Sequence, residues 1–97
     1  MRELTEADLK DLEYYSGLFL PVEKICLIMG FELEDFLTAL SDPEHSISRT
    51  FYKGSLLSEV ALREKVLKLA KQGSSPAQTM AMGLLTDFRG NMNKHNL

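Results

Sequence analysis

The chain is predicted to be all-α, with an N-terminal helix-turn-helix followed by a long helix and a short C-terminal helix that fold into an antiparallel hairpin. Three observations predict this. Apolar residues recur at three- and four-residue intervals, glycines and prolines fall between those stretches, and residues 46–72 contain no proline and only Gly54. The 97 residues, 44% of them hydrophobic, suit one helical domain with one core. Its expected parts are a helix-turn-helix at 5–43, a hairpin for oligomerisation at 46–89, and a polar tail at 90–97. A domain this small either packs tightly or borrows burial from copies of itself.

The first helix is expected over about Glu6 to Gly17. Thr5 can cap its free amides, Glu6 and Asp8 sit at the positive end of its dipole, and Leu9, Leu12, Tyr15 and Leu18 follow at helical spacing. Pro21 suits the first turn of a second, short helix, in which Ile25, Ile28 and Met29 supply an apolar stripe up to Gly30. After the Gly30-Phe31-Glu32 break, Leu33, Phe36, Leu37 and Leu40 mark a third helix. Asp42-Pro43 ends it, because the residue before proline is pushed out of the helical region.

A long fourth helix from about Ser46 to Gln72 would span roughly 40 Å at ~1.5 Å per residue. Ile47, Phe51, Tyr52, Leu62, Val66, Leu69 and Ala70 form one broad stripe on it, and Leu56, Val60 and Leu67 form a second beside it. Two stripes need two partners, so Leu56, Val60 and Leu67 are expected at an interface between copies. Gly73 can stop this helix in the left-handed conformation. Ser75-Pro76-Ala77-Gln78 then resembles a capping box with proline at the first helical position. The core face of the fifth helix is expected to be Ala77, Ala81, Leu84, Leu85 and Phe88, with Met80 and Met82 alongside.

Composition narrows the setting. Cys26 is the only cysteine, which excludes an intrachain disulfide and a multi-cysteine metal site and fits a reducing compartment. No apolar run approaches the ~20 residues of a membrane-spanning helix, and the acidic, amphipathic front lacks the pattern of a signal peptide, so no membrane partner is expected and a cytoplasmic location is. The net charge of −3 conceals an asymmetry: residues 1–47 hold 3 basic and 11 acidic side chains, a net of −8, while residues 48–97 hold 8 and 3, a net of +5. Such a split suits a nucleic-acid surface on the basic half or head-to-tail contact between subunits.

The stretch from Val22 to Ala39 meets the four demands of a helix-turn-helix. Ile25 and Met29 face inward, and Cys26 is small where the next helix approaches. Gly30 takes the left-handed turn, and Phe31 and Phe36 plug the space between the helices. Such proteins lay the second helix in the major groove. Here its exposed front carries Glu32, Glu34 and Asp35, which repel phosphate, and it has no lysine or arginine; Thr38 is its only neutral polar side chain. The basic side chains that can meet DNA lie on the fourth helix, where Arg49, Lys53, Arg63, Lys68 and Lys71 share an arc with Lys65 just outside it. That arc also fits a solvated face, or the charged flank of a helical interface that the acidic front of a neighbouring copy complements.

Three segments carry a resemblance: Glu23-Lys24-Ile25-Cys26-Leu27-Ile28-Met29-Gly30-Phe31, Arg49-Thr50-Phe51-Tyr52-Lys53-Gly54, and Leu69-Ala70-Lys71-Gln72-Gly73-Ser74-Ser75-Pro76-Ala77-Gln78-Thr79-Met80-Ala81-Met82. Over roughly residues 5–88 the chain resembles small phage or prophage proteins of the terminase small-subunit type. The Ala70-to-Gln78 run is the most specific part; in that family it joins the long helix to a last short one. The resemblance implies a non-catalytic, DNA-recognising component of genome packaging, assembled as a ring in host cytoplasm. Its partners would be double-stranded DNA, copies of itself, and a large subunit carrying the ATPase and nuclease. The chain departs from the family in its acidic recognition helix and in its shortness.

No enzymatic chemistry is expected, and no cofactor or metal. The chain has no phosphate-binding Gly-rich loop followed by Lys-Ser/Thr, and His45 and His95 are far apart in sequence from each other and from Cys26. Glu32, Glu34 and Asp35 are favoured at a helix N-terminus for electrostatic reasons alone, and Met80 and Met82 suit core filling. DNA binding by an oligomer in phage packaging is thus the leading expectation. A self-associating structural or protein-interaction module that reads no DNA is the alternative, with an ordinary transcriptional regulator third.

Overall fold

In a computed structural model, which describes residues 2–97, the described residues form five helices and no strand: α1 (Glu6–Gly17), α2 (Val22–Met29), α3 (Leu33–Leu40), α4 (Ser46–Lys71) and α5 (Ser75–Lys94). The fold is all-α, as predicted. The chain divides into two compact units, residues 1–59 and 60–97, and the division falls inside α4 rather than in the loop before it.

The first unit has a conventional core. Leu12, Ile25, Cys26, Phe31, Phe36, Ala39 and Ile47 are buried together, with Tyr15, Leu20, Met29, Leu33 and Phe51 packed around them. The rings of Phe31 and Phe36 stack at 5.7 Å, and Phe51 meets Phe36 edge-on at 6.1 Å. Thr5 and Asp8 form a reciprocal capping box that starts α1: the Asp8 amide donates to the Thr5 hydroxyl at 3.1 Å, and the Thr5 amide donates to the Asp8 carboxylate at 2.9 Å.

The same helix ends on an unexpected residue. The Leu20 amide returns to the Tyr15 carbonyl, leaving Phe19 in the left-handed region at φ 59°, a place ordinarily held by glycine. Pro21 then lies at the N-cap of α2, one position before its expected place, and its carbonyl accepts from the Lys24 and Ile25 amides.

In the second unit the end of α4 and the start of α5 are tied across a tight turn. Gly73, at φ 99°, lets the Ser74 amide reach back to the Leu69 carbonyl, and the Gln78 side chain donates to the Ala70 carbonyl at 3.1 Å. The cap of α5 is Ser74, whose hydroxyl accepts from the Ala77 amide, so the box expected at Ser75 starts one residue earlier and Pro76 falls at the second helical position. Gln78 is spent on α4 and not on the cap.

Two further expectations are corrected here. The tail expected from Gly90 onward is helical to Lys94, because nothing after Gly90 breaks the ladder and one glycine weakens a helix by only about 1 kcal/mol. Leu62 and Phe88, expected on covered faces, are 55% and 61% exposed, as are Tyr52, Met80 and Met82 to a similar degree. A pair of helices buries one narrow stripe on each, and in this unit only Ala77 is fully buried.

Candidate nucleic-acid interface

The turn between α2 and α3 is built as the pattern requires. Gly30 adopts φ 74°, ψ 30°, and the Phe31 amide returns to the Cys26 carbonyl at 3.0 Å, which satisfies the end of α2 and turns the chain into α3. Cys26 is buried beneath this turn. Its thiol pKa is pushed up, first by loss of water and then by the nearby Glu23 carboxylate, which favours the neutral thiol of a small core residue.

Arg2 was not anticipated at this site. Its guanidinium lies 4.7 Å from the centre of the Phe31 ring, donates to the Met29 carbonyl at 2.9 Å and pairs with Asp8 at 2.8 Å. The Arg2 hydrogen bond, followed by the Thr5 amide, holds the Asp8 pKa down at about 2. This contact joins residues 27 apart in sequence, which no local pattern signals.

The exposed face of α3 is acidic, as expected, and it is also partly apolar. Glu34, Asp35, Leu37, Thr38 and Ser41 are exposed, and on α2 so are Ile28 and Leu27, the latter by 84%. The Thr38 hydroxyl donates to the Glu34 carbonyl at 2.9 Å, so its proton is already committed within the helix. Beside it a shallow hollow is lined by Asp35, Thr38, Ala39, Asp42 and His45. There Nδ1 of His45 accepts from the Ile47 amide at 3.0 Å and caps α4, a role the sequence reading missed. Among the described residues, no group of three or more His, Cys, Asp or Glu side chains is placed to hold a metal ion.

The basic arc of α4 is shared between the units. In the first, Arg49 pairs with Glu44, and Lys53 lies 3.6 Å from the Glu13 carboxylate, so both face carboxylates of their own unit. In the second, Arg63, Lys68 and Lys71 are exposed, and Lys71 borders an apolar hollow formed with Leu67, Ala70, Gln78, Ala81 and Met82. The first unit carries 5 basic and 12 acidic side chains, a net of −7; the second carries 6 and 2, a net of +4.

The three side chains expected at an interface, Leu56, Val60 and Leu67, are all exposed. Leu57 is exposed as well, on a side of α4 that the sequence reading did not assign to either stripe. Among the described residues, no helix is long and apolar enough to cross a membrane. Comparison of the chain with known families, with curated proteins and with solved structures finds no match.

Proposed function

We propose that the chain is a non-catalytic, DNA-binding component of phage or prophage DNA packaging, of the terminase small-subunit type, and that it works as an oligomer in the host cytoplasm beside a large ATPase and nuclease subunit. One observation carries the reading: two eight-residue helices joined at a left-handed Gly30 over buried Cys26, Phe31 and Phe36, the arrangement of a helix-turn-helix. The run from Ala70 to Gln78, where the resemblance to that family is most specific, spans the end of α4, the turn and the start of α5.

Attraction to phosphate comes from Lys68 and Lys71 of the second unit, since Arg49 and Lys53 already face carboxylates and α3 is acidic. Binding is therefore largely independent of base sequence for each copy, and repeated copies supply the affinity. The test is titration of random duplex DNA at increasing salt, where phosphate contacts give a steep loss of affinity. Light scattering on wild type and Val60→Glu tests the oligomer: wild type is larger than a monomer, and the variant smaller than wild type.

A second reading, self-association without DNA, is favoured by the exposed Leu27, Ile28 and Leu37 beside the α3 carboxylates. An oligomer that fails to bind duplex DNA at low salt would establish it in place of the first.

A further inference from the structure

Where α1 crosses α4 in the first unit, the two helices touch at Gly54 and then leave a groove. Its floor is Gly17, Gly54 and Ser58, its walls are Tyr14, Leu18 and Leu57, and Glu13 stands at its rim. The three wall residues are each more than half exposed. Next to Leu18, Phe19 also holds its ring in water, although its left-handed backbone is one that a bulky residue rarely adopts. Three large apolar side chains, Tyr14, Leu18 and Leu57, thus line a cleft floored by small residues.

The second unit carries a surface of matching character. Leu85, Phe88 and Arg89 lie three and four positions apart on α5, so they share a face, and all three are exposed. That face presents two apolar side chains beside a cation, on a unit of net charge +4, and the groove has apolar walls and a carboxylate rim on a unit of net charge −7. Like charge opposes contact between two first units or between two second units, and opposite charge favours the mixed pairing.

We propose that the groove between α1 and α4 receives the Leu85–Phe88–Arg89 face of α5 from a second copy of the chain, with Phe88 over Gly17 and Gly54 and Arg89 towards Glu13, which it shares with Lys53. The contact is heterologous: each copy offers one groove and one α5 face, so copies join head to tail. This rests on the oligomer proposed above and names its surfaces; Val60, three positions after Leu57 on α4, borders the groove wall.

Leu57→Glu and Phe88→Glu test it, each checked for retained helicity by circular dichroism and sized by light scattering. Each variant alone is expected to be monomeric, and an equimolar mixture to form a dimer, because one chain retains the groove and the other the α5 face. A wild-type monomer would overturn the proposal together with the oligomer. Variants that keep the wild-type mass, or a mixture that stays monomeric, would overturn the pairing and leave the oligomer standing with different surfaces. Should either variant unfold, Leu57→Cys with Phe88→Cys on a Cys26→Ala background gives the same answer. Disulfide-linked dimers and longer ladders on mild oxidation support the pairing; links within one chain, or none, refute it.

Discussion

Gly54 of α4 lies so close to Ser16 of α1 that a β-carbon on the glycine would collide with the serine hydroxyl and with the backbone carbonyl of Glu13. Gly54 is buried, and the Ser16 hydroxyl donates to that same carbonyl at 3.1 Å. The crossing therefore depends on a missing side chain. Gly54→Ala is expected to lower stability by about 1–3 kcal/mol despite alanine's better helix propensity, since backbone must move to make room. Gly83→Ala on α5, where an added β-carbon meets nothing, is expected to raise helix stability by roughly 0.5–1 kcal/mol. Urea melts followed by circular dichroism compare the two.

At Gly30 an added β-carbon also meets nothing, and the cost there is in the backbone. Gly30→Val is expected to destabilise by about 1–2 kcal/mol or more, because a β-branched residue resists φ 74°, whereas Glu34→Ala on the exposed face stays within about 0.5 kcal/mol. Thermal denaturation of both variants distinguishes a strained turn from an ordinary loop.

Phe19 poses the opposite case. Phe19→Gly relieves a left-handed conformation and is expected to stabilise the first unit by roughly 1 kcal/mol. If its ring lies against a second copy, the same change lowers the oligomeric mass at a given concentration. Calorimetry and light scattering on one preparation measure both effects.

Asp8 sets an acid limit. Its pKa falls from 3.8 to about 2 on folding, so the ionised form is favoured in the folded state. The resulting stability is fully present above the unfolded value and is lost as pH drops from about 4 towards 2. Arg2→Ala is expected to move the Asp8 titration back towards 3.8 and to weaken that pH dependence, which carboxyl chemical shifts in an NMR titration report directly.

For DNA, Lys68→Gln with Lys71→Gln is expected to reduce affinity and flatten its salt dependence by a slope of about 1–2, while Lys53→Gln, whose amine already faces Glu13, has a smaller effect. Fluorescence anisotropy at several salt concentrations measures both.

Local chemistry was legible and distant chemistry was not. The start of α1, the left-handed Gly30 and the bounds of α3 follow from caps, prolines and apolar spacing within a few residues of each site. Ser74 and Ser75 are equally good caps on paper, and only the conformation of Gly73 chooses between them. Phe19 was missed because the rule reserves its place for glycine. Helical spacing gives directions and not neighbours, so it placed Leu62 on a covered face where the structure leaves it 55% exposed. His45 and Arg2 act through contacts that periodicity does not encode.

The position of Arg2 makes the N-terminal segment a latch on the α2–α3 turn. It fastens the Met29 carbonyl, the Phe31 ring and Asp8 through one side chain. Removing that side chain, as in Arg2→Ala, would leave the sequence of the turn intact and still loosen it. Amide hydrogens at Gly30 and Phe31 would then exchange faster with solvent deuterium.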